Sequence, residues 1–316
     1  MAQCTNPEYG PFFRPALQGT PMSKRKVERM GYWRCKQCLS CKLAKTDEWI
    51  LRMLHEQTTT PGISLFVTLT YADEHLIYLP GSNNPTVCIS ETQAFFDRFR
   101  DRLNYSKFKY LLVGDYGPET FRPHYHFASF FSDPALSYNH VKQLLESSWQ
   151  MKGFVTVDNL IHERMAYLVR YITEKLYNNK VLFDSLNVKP IFQSQSKGIG
   201  KEYAQKEIAN RVRSSKFQSR IRGRMVGIPR YYRKILGITN ELLQPGIDEK
   251  ISQEADIIDS HPKYDDLSTH FKHELERLRT SSLEDYVVFG KHVLNIYKHK
   301  DKTLKSKHNL KKRNIL

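Results

Sequence analysis

Two histidines one residue apart, His124 and His126, sit in the run Arg122-Pro123-His124-Tyr125-His126-Phe127, which stays strand-like to Phe131. Side chains on a strand alternate between faces, so both imidazoles point one way and Tyr125 and Phe127 the other. Such a pair can close on one divalent cation, and a nearby carboxylate would leave positions open for a phosphate and water. Taken alone, the pair equally suits a strand with two polar residues on its wet face. Further along, Ile161, Met165, Leu168, Val169, Ile172 and Leu176 recur at helical spacing as one apolar stripe. Tyr167 and Tyr171 fall roughly opposite that stripe, one turn apart, with Lys175 a further turn along. A phenol, with a pKa of about 10, is a poor nucleophile at neutral pH until a base, metal or cation favours the phenolate. Paired with the histidines, the tyrosines acquire a chemical meaning: one could attack a phosphodiester, and the second could attack what is left on the first.

The elements that must position these groups follow from the flanking pattern. Residues 64–71 are β-branched and aromatic and read as a buried strand, followed by a turn-rich loop over 72–90. A helix is predicted over 90–104, with Phe95, Phe96, Phe99 and Leu103 on one side. A strand follows from Lys107 to Val113, and Gly114-Asp115-Tyr116-Gly117-Pro118 turns it into the histidine strand. A hairpin would carry Asp115 back beside His124 and His126, making it the candidate third ligand, with Glu119 in reserve. Aspartate also favours such turns for its own sake. A helix over 138–149, a strand over 153–157 and the tyrosine helix over 160–178 complete the order β-α-β-β-α-β-α. That order predicts an α+β fold, an antiparallel sheet with helices on one side in a ferredoxin-like arrangement. The histidines would lie on the open face, with the last helix across it.

Around this core, expected over 61–180, the chain divides by composition. Residues 1–60 read as an N-terminal arm, irregular to residue 34, followed by Cys35-x2-Cys38-x2-Cys41 at a helix start. That spacing suits zinc with a fourth ligand from Cys4 or His55, or three reduced cysteines. Residues 181–240 form a basic extension with Arg211, Arg213, Arg220, Arg222, Arg230 and the pair Tyr231-Tyr232, expected to contact a nucleic-acid backbone. Ser196-Lys197-Gly198-Ile199-Gly200 is a turn before a helix and lacks the ending of a phosphate-binding loop. Residues 241–316 are an acidic appendage and a lysine-rich tail. The chain of 316 residues carries a formal charge of +16 with 18 tyrosines and 17 phenylalanines. Charge and aromatics together point to nucleic acid rather than a membrane surface. No apolar span predicts a membrane helix, no secretory h-region stands at the N-terminus, and five cysteines do not form a secreted framework, so a cytoplasmic location is expected.

Read in order, Thr68-Leu69-Thr70, His124-Tyr125-His126 and Tyr167-x3-Tyr171 resemble the three motifs of the HUH rolling-circle replication initiators. The chain looks most like the initiators of gokushovirus-type microviruses. That likeness rests on the cysteine cluster, Phe66 to Tyr71, Gly114-Asp115-Tyr116-Gly117, Arg122 to His126, Tyr167-x3-Tyr171-x3-Lys175, Gly198-Ile199-Gly200 and Pro229-Arg230-Tyr231-Tyr232. The resemblance implies a metal-dependent endonuclease and strand transferase that nicks and rejoins single-stranded origin DNA through a 5′-phosphotyrosine. Mg²⁺ or Mn²⁺ would sit on His124, His126 and Asp115, a position where the family has glutamate. Tyr167 or Tyr171 would attack, and Lys175 would steady a phenolate or phosphate charge. The cysteines would hold structural zinc, and a host helicase and polymerase would supply strand separation and synthesis. Two other readings remain open: an HUH transposase, and a non-enzymatic zinc-stabilised nucleic-acid-binding protein.

Overall fold

Strong strand formers pair at the N-terminal end. Strands β1 (Glu8–Phe13) and β2 (Val27–Trp33) run antiparallel, with Glu8 opposite Trp33. This corrects the irregular arm expected there. Tyr9, Phe12, Phe13, Tyr32 and Trp33 are residues that strands favour, and the paired backbones satisfy each other's polar groups despite the Pro- and Gly-bearing sequence between them. The computed structural model describes residues 8–13, 27–33, 38–117, 120–171, 180–213 and 218–239. Cys4, Cys35, Glu119, Lys175 and the expected acidic appendage and tail lie outside them. The chain forms two compact units, one of Met1–Ala44 with Thr239–Leu316 and one of Lys45–Ile238. Helix α1 (Leu39–Thr59) begins in the first, where Cys41 is buried with Cys38 packed against it.

The unit Lys45–Ile238 is built on a sheet whose members are β3 (Ser64–Tyr71), β4 (Phe108–Tyr116), β5 (Pro123–Phe131), β6 (Gly153–Asn159) and β7 (Phe192–Gln195). Their order is β6-β3-β5-β4-β7 and every pairing is antiparallel. Helices α2 (Ile89–Arg102) and α3 (Tyr138–Trp149) connect the strands, and α4 (His162–Arg170) follows β6. The α+β fold expected from the sequence is therefore present. β7 is an addition to it: Phe192 packs where Gly114 lacks a side chain, and a Cβ on Gly114 would stand 2.4 Å from that ring.

Alternation along β3 decides what each face buries. Leu65, Val67, Leu69 and Tyr71 point to the first face, where they join Phe95, Phe96 and Phe99 of α2 and Val141, Leu145 and Trp149 of α3. These helix residues recur at intervals of one turn, so each helix turns one apolar stripe to the sheet. The Ser137 hydroxyl accepts the His140 N–H at the start of α3, and Gln150 ends it in the left-handed region. Trp149 is fully buried, lies within 5.0 Å of the Tyr71 ring centroid, and donates its indole N–H to the Thr70 carbonyl at 3.2 Å.

The second face carries Phe66, Leu111, Val113, Ala128 and Phe130, covered by Met165, Leu168 and Val169 of α4 and by Trp49, Ile50, Leu51 and Met53 of α1. It is less open than the sequence reading implies, because the apolar residues alternating through β4 and β5 need cover that α4 alone does not give. Ile161, expected in the α4 stripe, caps the helix instead and is exposed.

The basic segment beyond residue 180 folds with this unit rather than extending from it. It contains α5 (Lys180–Ser185), α6 (Lys201–Tyr203), a π-helical turn (Ala204–Ile208), α7 (Ala209–Arg213), the hairpin β8 (Gln218–Ile221) with β9 (Arg224–Gly227), and α8 (Arg230–Ile235). Ile199, Ile221 and Val226 enter the second core, while Arg211, Arg213, Arg220, Arg222 and Arg230 stay exposed. The Gly198-Ile199-Gly200 turn is clamped onto α1. The buried Glu56 carboxylate accepts from the Gly200 N–H at 2.7 Å and from Lys109 at 2.7 Å, and Arg52 donates to the Ile199 carbonyl. Gly200 has φ +75° and lies so close to the Tyr232 hydroxyl that a Cβ would meet it at 2.0 Å, so only glycine fits there.

The same network corrects two expectations. Tyr231 and Tyr232 are not a DNA-stacking pair. Tyr231 lies against Arg52, 4.3 Å from ring centroid to guanidinium carbon, and Tyr232 is fully buried. His55, considered as a zinc ligand, is held by the Tyr232 hydroxyl at 3.1 Å and stacks on Tyr203 at 3.8 Å. Burial, helped by the Arg211 charge, lowers its pKa from 6.5 to about 4. Between those values the unfolded chain binds a proton that the folded chain refuses, so stability is full above pH 6.5 and falls on acidification towards pH 4. The expected loss is about 3 kcal/mol. Chemical denaturation of wild type and His55→Gln at successive pH values checks this, and an equal slope in both would refute it.

Candidate functional site

The register of the sheet brings the two histidines and the carboxylate into line. His124 lies directly opposite Thr70 on β3 and Asp115 on β4, and His126 directly opposite Thr68 and Val113. Residues facing each other in an antiparallel pair project from the same face. Asp115, His124 and His126 thus share the second face, as hairpin reasoning expects. The two imidazole rings are nearly parallel, 4° apart, with centroids separated by 6.0 Å. His126 and Asp115 are buried and His124 is half-buried.

Each histidine is oriented through its Nδ1. That of His124 lies 2.6 Å from the Arg122 carbonyl, which can only accept, so Nδ1 carries the proton and Nε2 keeps its lone pair. His126 Nδ1 is 2.9 Å from the Thr68 hydroxyl. The Arg122 guanidinium in turn holds the end of β3, donating twice to the Tyr71 carbonyl and pairing with Asp73 at 2.6 Å. Thr68 and the Arg122 side chain were given no role from the sequence. The signal was present for Thr68, a polar residue on the face of β3 that also bears Phe66, but parity alone does not say which strand lies opposite.

Both phenols stand over His126. Burial of Met165, Leu168 and Val169 fixes the rotation of α4, leaving Tyr167 5.5 Å and Tyr171 5.6 Å from the His126 ring centroid. The Tyr171 hydroxyl donates to the Tyr167 hydroxyl at 2.5 Å. Tyr167 is 39% exposed, whereas Tyr171 is half-buried. Burial raises the Tyr171 pKa, and its bond to Tyr167 and the Asp115 charge raise it further, with Arg170 acting weakly the other way.

This geometry suits a divalent cation in part. Two imidazoles on one face, one with its Nε2 lone pair assured, are an apt nitrogen pair. Among the described residues, however, no three His, Cys, Asp or Glu side chains are gathered as ligands of one ion. Asp115 is adjacent by register without being drawn in. Among the same residues no helix is long and apolar enough to cross a membrane.

Comparison with known proteins agrees with the placement of the site. Residues 64–176, from β3 to just beyond Tyr171, match the family of the replication-associated protein ORF2. The chain is 32% identical over 181 residues to Replication-associated protein ORF2 of Spiroplasma virus 4, which covers 54% of this chain and 56% of that protein. It is 26% identical over 215 residues to Replication-associated protein VP4 of Bdellovibrio phage phiMH2K, covering 63% and 65% respectively. The matches thus span less than two thirds of these relatives. No solved structure matches. The resemblance to microvirus-type replication initiators drawn from the motifs is supported by both relatives and by the family match.

Proposed function

We propose that this chain initiates rolling-circle replication by nicking and rejoining single-stranded origin DNA through a 5′-phosphotyrosine. The observation that carries the reading is the stacking of Tyr167 and Tyr171 on His126, beside His124 and in line with Asp115. The family match and the two relatives support a role in replication. The Tyr167 oxygen attacks phosphorus as its proton leaves to solvent. A phosphorus–oxygen bond to the phenol forms while the bond to the 3′ oxygen breaks, and that oxygen takes up a proton to leave a free 3′-OH. The phosphodiester energy stays in the adduct, so rejoining needs no nucleotide cofactor.

His124 and His126, with Asp115 drawn in, would hold Mg²⁺ or Mn²⁺. Such a cation, when bound, polarises the scissile phosphate and stabilises charge on its oxygens. Arg122 and Thr68 keep the imidazoles turned to that task. Lys175 is assigned to balancing phosphate or phenolate charge, Cys35, Cys38 and Cys41 to structural zinc, and a host helicase and polymerase to strand opening and synthesis. The exposed arginines beyond residue 210 suit contacts to the DNA backbone.

The test is a denaturing gel of purified protein with labelled single-stranded origin DNA and Mn²⁺, with EDTA as control. A retarded band that survives denaturant, collapses on protease treatment and is absent with EDTA is expected. Cleavage without that band would mean an ordinary nuclease, and neither product would leave a DNA-binding protein without strand-transfer activity.

A further inference from the structure

The row that aligns the site continues outward. Across four strands, Asp115 of β4 faces His124 of β5, His124 faces Thr70 of β3, and Thr70 faces Phe154 of β6. All four therefore project from the second face. Its neighbours on β6 show the parity: Val155 and Val157 pack into the first core, while Phe154 and Thr156 are exposed. Phe154 is 73% exposed, although a phenylalanine on a strand ordinarily finds cover. No hydroxyl gives it a reason to face water. Neither does it belong to a broad apolar patch that would suit a protein partner, since Thr156 and Asp158 follow it on the same face.

We infer that Phe154 is a base-stacking platform for the nucleotide next to the scissile phosphate. This rests on the reading of the site given above. Two strand spacings, about 10 Å, separate the backbone of Phe154 from that of His124, so a phosphate at the histidines sets a neighbouring base over the exposed ring. An aromatic face takes any base, and the chain's charge of +16 draws the backbone to which that base is attached. The strand then runs across the sheet from β5 towards β6, rather than along the histidine strand. Thr70, between them in the row, is the one side chain it crosses.

The experiment uses the full chain carrying Tyr167→Phe and Tyr171→Phe, so that DNA is bound and not consumed. Oligonucleotides containing 2-aminopurine at successive positions around the nick site report stacking by quenching, and anisotropy reports affinity. In this background, Phe154→Ala and Phe154→Leu are each expected to weaken binding about tenfold and to remove the quenching at one position, whereas Phe154→Trp retains both. Leucine at wild-type affinity would reduce the site to a general apolar contact and overturn the inference, as would an unaffected alanine variant. Adduct formation by the wild-type protein is measured alongside. If that succeeds and Phe154→Ala binds normally, only the platform fails. Failure of adduct formation sinks the initiator reading by itself, and absence of any DNA binding overturns both.

Discussion

Replacing Tyr167 by phenylalanine should lower the rate of the first covalent attachment to DNA on the order of 10³-fold or more, as removal of a nucleophile does. Replacing Tyr171 should leave that step within about tenfold of wild type, the worth of one hydrogen bond. The asymmetry comes from the single bond between the phenols. Tyr171 donates and Tyr167 accepts, so the bond favours negative charge on Tyr167. Tyr171 is meanwhile held protonated by burial, by that bond and by the Asp115 charge. Tyr167 is also the more open to an incoming strand. The prediction assigns the first attack to Tyr167 and the later transfer to Tyr171. Single-turnover adduct formation by each variant measures the first step. Release of a rejoined circle measures the second, which Tyr171→Phe should block. If Tyr171→Phe were the variant that lost the first adduct, the assignment would be reversed.

Trp149→Ala should destabilise the protein by about 3–5 kcal/mol, since it removes a large, fully buried side chain from a core that cannot close around the gap. The ring meets Tyr71, Phe95 and Tyr125 within 5.0, 5.8 and 6.1 Å, and its N–H bonds the Thr70 carbonyl. Thr70 stands in the row with His124, so the loss is felt at the site as well as in the core. Urea titrations of wild type, Trp149→Ala and Trp149→Phe would show it, with phenylalanine recovering most of the packing but not the hydrogen bond. An alanine variant within about 1 kcal/mol of wild type would refute the account.

The sheet and its site were legible where local pattern and long-range geometry agree. β-branched residues at 64–71, the alternation about His124 and His126 and the helical stripe of Met165, Leu168 and Val169 each fix an element alone. Asp115 was placed because a hairpin dictates its neighbour. What could not be read was pairing at a distance. Nothing near Phe192 says that it will lie on Gly114, and nothing near Tyr232 says that His55 and Gly200 will close around it. Basic residues around the Tyr231-Tyr232 pair made that segment look external. Two buried contacts in α1 decide otherwise, and both are separated from it by most of the sheet.

The position of β3 has a consequence for synthesis. It is the first strand of its sheet to leave the ribosome, yet its partners on either side are β5 and β6, made many residues later. Until residue 159 has emerged, a strand whose buried residues alternate through both faces keeps at least one open edge, the arrangement most prone to mispairing and aggregation. The active constellation draws on the same late partners. A chain interrupted before β5 carries neither histidine, and one interrupted before α4 carries neither tyrosine. Premature fragments are therefore sticky but chemically inert, and the capacity to break DNA arrives only with the folded whole.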